Sequence, residues 1–316
     1  MICFFLNRDL LLKNQPKDLD FATVATPDQM KEMFNTKGLD GTVYDYFDGF
    51  KDLQKRRVAF VGDANTRIQE DYLRILRYFR FFGRISERPD GHEQETLQAI
   101  KDNVKGLERI SGERIWSELR KILEGRFAGE LLKTMLSLGI GPYIGLPAQP
   151  NMNEFDRLMN QEHSEQLHPM TLLSALFINQ EEFHSRVRLS TYDRDLGLFV
   201  VEHRMDKPSI KPIRPYQLLV VNCKTKISDT REWVRELLKY RGNIELLKEF
   251  DNWIMPRFPL NGNILIKEHG VPGGKSLGPV LNALKKKWVE SDFQLSSDEL
   301  LKSLPEILEE VGIQKR

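Results

Sequence analysis

The sequence is poor in the residues that mark disulfide-rich and metal-binding proteins. Its 316 residues include only two cysteines, Cys3 and Cys223, which lie far apart. Such a pair predicts neither a disulfide framework nor a cysteine metal site, and it fits a reducing compartment. The six histidines do not recur at the spacing of metal ligands. We therefore predict no zinc site.

Long apolar runs and an excess of one charge are also missing. No stretch approaches the roughly 20 apolar residues of a membrane span, so no membrane partner is expected. The 47 basic and 46 acidic residues nearly cancel. Binding to nucleic acid would therefore depend on a local basic surface. The opening MICFFL is too short for a signal-peptide core, and the acidic residues after it are untypical of a transit peptide.

The remaining pattern predicts an α+β protein of two or more domains, since 316 residues can bury a large core. Short strands are predicted over 18–24 (DLDFATV) and 41–49 (GTVYDYFDG). Segment 204–216, with three prolines and several basic residues, is predicted to be a linker or exposed loop. After Asp52 the apolar spacing is helical. We predict helices over 67–83, 93–103, 111–124, 127–138, 153–160, 170–179, 229–238, 242–253, 276–290 and 296–310.

On a helical wheel, residues 67–84 separate into three faces. A basic face contains Arg77, Arg80 and Arg84. The apolar face, which we expect to be buried, contains Ile68, Tyr72, Ile75, Leu76, Phe79 and Phe82. The third face contains Arg67, Glu70, Asp71 and Arg74.

Asp71 and Arg74 are one turn apart on this wheel and allow two interpretations. They could form an ordinary surface ion pair worth about 0.2–0.5 kcal/mol. Alternatively they could recognise a nucleobase, because a carboxylate accepts from an exocyclic amine while arginine donates to the adjacent ring nitrogen. That pair would accept cytosine and adenine and would refuse uracil and guanine, which place a carbonyl oxygen against the carboxylate.

Asp18 and Asp20 are two residues apart on a predicted strand, so their carboxylates project from one face. Two carboxylates in this arrangement suit a pair of shared Mg²⁺ ions, which would align a hydroxyl with a nucleotide α-phosphate. The Asp-x-Asp pattern by itself is weak evidence, because it also occurs in turns and calcium loops.

Five motifs, in this order along nearly the whole chain, resemble those of the class II CCA-adding enzymes. These are tRNA nucleotidyltransferases and share a family with bacterial poly(A) polymerases; the resemblance is greatest to the animal mitochondrial type. Residues 8–27 contain the first motif, with Arg8, Asp9, Asp18 and Asp20 at matching positions. The other four are a hinge motif with Asp45, Gly49 and Asp52, the base-reading EDYLR (70–74), the neck motif RISGERIWSEL (109–119) and a tail motif over 270–288.

The resemblance implies a truncated, polymerase-β-like nucleotidyltransferase head (1–53), then a neck with the base-reading helix (54–125), a helical body (126–225) and a helical tail (226–316). It implies template-independent addition of CCA to tRNA 3′ ends from CTP and ATP, with Mg²⁺. The resemblance implies a mitochondrial location, and a cytoplasmic or nuclear location stays open. Asp18 and Asp20 would be catalytic and hold the metal. Nucleotide binding is implied for Arg8, Asp9, Glu70, Asp71 and Arg74. The residues of the basic face are predicted to bind tRNA: Arg77, Arg80 and Arg84.

The chain departs from the family pattern in its head. Phe5 and Leu6 occupy the place of two glycines, whose missing side chains allow close approach of a triphosphate. Only about 25 residues separate Asp20 from Asp45, and the family's Arg-Arg-Asp motif for the nucleotide sugar and phosphates is absent. The sequence therefore has the form of a splice variant, or of a gene whose exons were wrongly predicted. Two alternatives stay open: an inactive tRNA-binding protein and a poly(A) polymerase.

Overall fold

The computed structural model describes residues 49–162, 166–178, 186–207 and 209–312. Within these ranges all regular secondary structure is α-helical or 3-10 helical, so the predicted α+β fold is wrong for this part of the chain. The physical reason is that apolar residues recur every three to four positions from Gly49 onward, which buries one face of a helix. The strand predicted over 18–24 lies outside the described residues. So does the strand predicted over 41–49 except Gly49, which begins a helix.

The helices before residue 208 mostly begin at residues whose side chains accept from free backbone amides. Asp63, Ser111, Asn151 and Ser190 each cap a helix in this way. The helices are α1 Gly49–Gln54, α2 Ala64–Glu70, α3 Arg74–Ile85, α4 Gln94–Asn103, α5 Gly112–Leu123, α6 Ala128–Ser137, α7 Met152–Met159, α8 Pro169–Ser174 and α9 Thr191–His203. Short 3-10 helices span Val104–Arg109 and Gly141–Ile144.

The described chain continues as helices after residue 208. Ser296 and Glu299 form a reciprocal capping box at the start of one of them. The helices are α10 Arg214–Val221, α11 Ile227–Tyr240, α12 Ile244–Asn252, α13 Gly262–His269, α14 Leu277–Glu290, α15 Ser297–Lys302 and α16 Leu304–Glu310, with a 3-10 helix over Gly274–Ser276. No helix in the described ranges is long and apolar enough to cross a membrane.

Most predicted helices are confirmed, but two are divided and four were missed. The helix predicted over 67–83 is α2 and α3, and the one over 296–310 is α15 and α16. The missed helices are α1, α9, α10 and α13. Helix α10 begins inside the predicted linker. Pro215 lies in its first turn, where backbone N–H groups have no partner within the helix and the missing N–H of proline therefore costs nothing.

The chain forms two compact units. One contains the described residues up to Lys207 together with Arg235–Asn243, and the other contains those after Pro208 except that segment. The border at Lys207 falls within the segment predicted to be a linker. The division into head, neck, body and tail is finer than these two units and stays a prediction.

The core of the first unit includes the apolar face of α3, where α3 packs on α5. Of the six residues predicted to be buried on this face, five are at most 2% exposed and Tyr72 is half-buried. A buried polar contact links α5 to α9, since Trp116 Nε1 donates to Asp193 Oδ2 at 3.2 Å. In the second unit a separate core surrounds Trp288 and includes Val280, Leu284, Leu265, Leu300 and Ile307.

Helix α3 approaches its neighbours closely at Gly83. A Cβ atom there would lie 2.8 Å from the Arg126 carbonyl oxygen and 3.0 Å from Leu131 Cδ1. We expect Gly83→Ala to lower the free energy of unfolding by about 1–3 kcal/mol through overpacking. Gly278, in the first turn of α14, has nothing within 4 Å of such a Cβ. Gly278→Ala should therefore leave the free energy of unfolding unchanged or raise it by up to about 1 kcal/mol. Urea unfolding followed by circular dichroism tests both, and equal effects would contradict the close approach at Gly83.

Candidate functional site

The candidate base-reading residues lie at the break between α2 and α3. Asp71 ends α2 in an extended conformation (φ −153°, ψ 104°), and α3 begins at Arg74. Asp71 closes the turn with two contacts: its Oδ1 accepts from Leu73 N at 3.2 Å, and its carbonyl oxygen accepts from Arg74 N at 2.9 Å. Asp71 and Arg74 are therefore neighbours across a turn, and the continuous helix assumed by the wheel is wrong here.

The carboxylate of Asp71 is bound by Arg114 of α5. Arg114 Nη2 donates to Oδ2 at 3.0 Å, and Arg77 Nη1 approaches the same oxygen at 3.7 Å. The Asp71 side chain is 25% exposed and that of Arg114 is 49% exposed, so the pair is open to solvent. Sequence reasoning missed Arg114 as a site residue. The available signal was its position in the neck motif, two residues after the Gly112 that opens α5.

Arg74 takes different partners. Its Nη1 donates to the carboxylate of Glu70 and to the carbonyl oxygen of Arg67, the latter at 2.7 Å. Glu70 also accepts from Arg67 Nη1 at 2.7 Å. Hydrogen bonding from Arg74, with a smaller effect of Arg67, lowers the pKa of the Glu70 carboxyl. The two carboxylates of this EDYLR motif are thus bound by different arginines, Glu70 by Arg67 and Arg74 and Asp71 by Arg114.

The basic face predicted to bind tRNA is not uniformly exposed. The Arg77 side chain is 41% exposed and lies between Asp71 and Glu118. The Arg80 side chain is 9% exposed and forms a buried ion pair with Glu118 at 3.1 Å, while its guanidinium carbon lies 4.5 Å from the Phe81 ring centre. Arg84 is half-buried. Arg80 contributes to the packing of α3 on α5, and its contact with tRNA stays a prediction.

An aromatic cluster supports α3 behind these residues. The His92 ring stacks on Phe82 with centroids 3.7 Å apart, and His92 Nδ1 lies 2.9 Å from the Tyr78 hydroxyl oxygen. Burial lowers the pKa of His92 to about 4 and raises the pKa of Tyr78 above its usual value. Both side chains are therefore neutral at physiological pH, which suits the apolar rings around them.

Four of the predicted site residues, Arg8, Asp9, Asp18 and Asp20, lie outside the described residues. The catalytic and metal-binding predictions for Asp18 and Asp20 are therefore not tested by the structure. Within the described ranges, no group of three or more histidine, cysteine, aspartate or glutamate side chains is placed so that it could hold a metal ion.

Two known sequence families match separate parts of the chain. Residues 6–40 match the "Poly A polymerase head domain". Residues 93–149 match the "Probable RNA and SrmB- binding site of polymerase A". The first match covers the motif with Asp18 and Asp20, and the second covers α4 to α6, including Arg114 and Glu118.

Similar curated proteins extend over almost the whole chain. The chain is 39% identical to CCA tRNA nucleotidyltransferase 1, mitochondrial, of Danio rerio, over 94% of this chain and 85% of the relative. For the Homo sapiens protein of the same name the identity is 38%, over 93% of this chain and 83% of the relative. The CCA-adding enzyme of Limosilactobacillus reuteri is 29% identical to this chain, over 94% of this chain and 75% of that enzyme. The Danio rerio match spans 368 aligned positions, more than the 316 residues of this chain, so that relative has residues that are missing here.

Solved structures share the fold. The CCA-adding enzyme of Bacillus stearothermophilus in complex with CTP superposes with a TM-score of 0.64 at 24% identity, over 84% of this chain and 69% of that one. The Thermotoga maritima CCA-adding enzyme complexed with tRNA gives a TM-score of 0.53 at 20% identity, over 84% and 67%. The identity to the mitochondrial relatives decides the family, since it extends over nearly all of both chains. The chain belongs to the family of CCA tRNA nucleotidyltransferases.

Proposed function

We propose that this chain adds CCA to the 3′ ends of tRNA from CTP and ATP, without a template strand. The observation that carries the proposal is the 39% identity over 94% of the chain to a mitochondrial CCA tRNA nucleotidyltransferase. The two matched family patterns are named after poly(A) polymerase, which keeps that enzyme as the rival activity. The names of the mitochondrial relatives also support a mitochondrial location.

In the proposed reaction, Asp71 and Arg74 read the base of the incoming nucleotide. The Asp71 carboxylate accepts from the exocyclic amine of cytosine or adenine, and the Arg74 guanidinium donates to the adjacent ring nitrogen. Both groups are 25% exposed. Each must leave its present partner, Arg114 or Glu70, at least in part. The exchange replaces one charge-assisted hydrogen bond by another, so its net free-energy change is small compared with either bond alone.

Asp18 and Asp20 are proposed to hold Mg²⁺, with Arg8 and Asp9 beside the nucleotide. The support is the match of residues 6–40 to the polymerase head domain, together with the spacing of the two aspartates. Carboxylate oxygens are the ligands that Mg²⁺ prefers. When bound, the metal would offset the negative charge that develops at the α-phosphate during transfer.

The short interval between Asp20 and Asp45 gives specific support to a second candidate, a chain that binds tRNA but transfers nucleotides poorly. The Danio rerio relative has residues within the match that this chain lacks. In-line transfer depends on placing the reacting groups accurately, and a misplacement of about 1 Å can cost about 10²-fold in rate. We therefore propose that the chain has the family's recognition residues but a weak transfer step.

The base-reading proposal predicts a loss of nucleotide selectivity in Asp71→Ala. The test uses a chain in which the interval between Asp20 and Asp45 is restored from the Danio rerio relative. The incorporation ratio of CTP over UTP should fall about 10- to 100-fold, because an unmet polar group in a closed site costs about 1–3 kcal/mol. Asp90→Ala is the matched control, since Asp90 is another exposed carboxylate paired with an arginine. Selectivity that survives in Asp71→Ala would refute the assigned role.

Transfer by the chain as it stands is predicted to be at least about 10²-fold slower than transfer by the restored chain. The assay follows labelled CTP and ATP into a tRNA that lacks its 3′ CCA, with Asp20→Ala as the blank. An arm with CTP alone separates the two activities, since a poly(A) polymerase would add nothing there. A rate close to that of the restored chain, abolished in the blank, would show that the short interval does not limit catalysis.

Arg77 and Arg80 are predicted to act differently although the wheel places them on one face. Arg77→Gln should weaken tRNA binding and reduce the log-log salt slope by about 0.7–0.9, the effect of one lost phosphate contact, without changing the melting temperature. Arg80→Gln should lower the free energy of unfolding by about 3–5 kcal/mol, because it leaves the Glu118 carboxylate buried without its partner. Binding and thermal unfolding are measured on both variants. An Arg80→Gln protein of normal stability and reduced affinity would reverse the assignment.

A further inference from the structure

A cleft of about 400 Å³ opens on the second unit. It lies beside the start of α10, the end of α12 and the loop after α14. Its volume falls within the range of pockets that bind small organic ligands. The residues that carry its chemistry are Lys211, Arg214, Trp253, Asp292 and Phe293.

Two aromatic rings form one wall of the cleft. Trp253 and Phe293 have ring centroids 6.2 Å apart and planes 37° apart. Trp288, which is buried, packs against Phe293 from behind at 5.0 Å. Arg231 donates to the Trp253 carbonyl oxygen at 3.2 Å, and its guanidinium carbon lies 5.5 Å from the indole centre. These contacts hold both rings in place, so the wall is formed before any ligand arrives.

Two cations stand at the edge of this wall and share one carboxylate. The Lys211 amine forms an ion pair with Asp292, and Arg214 Nη1 lies 3.5 Å from Asp292 Oδ1. The Arg214 guanidinium carbon is 4.3 Å from the Phe293 ring centre. Lys211 lowers the pKa of the Asp292 carboxyl, which is therefore ionised at neutral pH. The Lys211 and Asp292 side chains are 64% and 47% exposed, so an anion from solution can compete with Asp292 for the lysine.

The backbone that presents these groups is strained. Asp292 and Phe293 follow one another in the left-handed region, with φ of 57° and 67°. Aspartate tolerates this conformation, whereas a bulky side chain such as phenylalanine is uncommon in it. Strained positions of this kind cluster at functional sites. Here the strained turn brings a carboxylate and an aromatic ring to the same cleft.

We propose that this cleft binds one unpaired nucleotide of an RNA chain, with its base against Trp253 and Phe293 and its phosphate on Lys211 and Arg214 in place of the Asp292 carboxylate. A planar ring wall next to an exposed lysine and a largely buried arginine suits a nucleotide, because every base has a face for stacking and every phosphate is an anion. The cleft is too small for the interface that a folded protein partner would need. The inference rests on the proposed function, which supplies tRNA as the RNA.

The test measures the affinity of the full chain for a labelled tRNA lacking its 3′ CCA, over a series of salt concentrations. Lys211→Gln should weaken binding about 3- to 10-fold and reduce the log-log salt slope by about 0.7–0.9. Asp292→Asn should tighten binding by a similar factor, because asparagine keeps the left-handed turn and no longer competes for Lys211. Lys248→Gln is the matched control, since the Lys248 side chain is also 64% exposed and also paired with one carboxylate. It should leave the affinity unchanged.

The opposite signs of the two changes separate a binding site from a structural ion pair. If the Lys211–Asp292 pair only stabilises the fold, both substitutions weaken binding or neither alters it, and the proposal is overturned. Direct binding of free AMP that is lost in Lys211→Gln, while the affinity for tRNA is unaltered by that substitution, would identify a mononucleotide site and overturn the RNA assignment. If the wild-type chain binds tRNA while Lys211→Gln and Lys248→Gln behave alike, this inference alone fails. If the wild-type chain has no salt-dependent affinity for tRNA, the proposed function fails as well.

Discussion

The buried ion pair between Arg80 and Glu118 is the interaction on which the geometry of the candidate base-reading site depends. Both side chains are less than 10% exposed, so neither can move without leaving a charge in the core. The pair therefore fixes how α3 is rotated against α5. At the exposed end of the same interface, Arg114 of α5 reaches the carboxylate of Asp71. Arg74 and Arg77 of α3 and Arg114 of α5 therefore take their direction from this interface.

Apolar spacing predicts the fold of α3 well, because burial on one face follows directly from the period of the helix. Ile68, Ile75, Leu76, Phe79 and Phe82 are buried as expected. The break at Asp71 could not be predicted in this way, since Tyr72 continues the same apolar spacing across it. At the break, Asp71 also contacts Arg114, 43 residues away, and the burial of Arg80 depends on Glu118, 38 residues away. Local periodicity contains no information about such partners.

The motif comparison and the helical wheel supplied different parts of the site. The motif predicted Asp71 and Arg74 as a functional pair, and this role stays a prediction; the wheel that placed them side by side assumed one helix, whereas they face each other across a turn. The structure adds that Glu70 and Arg114 occupy these two groups, so the charges are already balanced before a nucleotide binds. When a base takes the place of these partners, Glu70 would keep its contact with Arg67 and the half-exposed Arg114 would be solvated.

The neutral His92 links the packing of α3 to proton uptake. Its pKa of about 4 in the folded chain is lower than the ordinary value of 6.5 that it regains on unfolding. Because the unfolded chain binds more protons, this histidine contributes stability that is complete above pH 6.5 and is lost as the pH falls toward 4. The aromatic cluster of Tyr78, Phe82 and His92 is thus a point from which acid denaturation of the first unit can begin, next to the residues proposed to read the base.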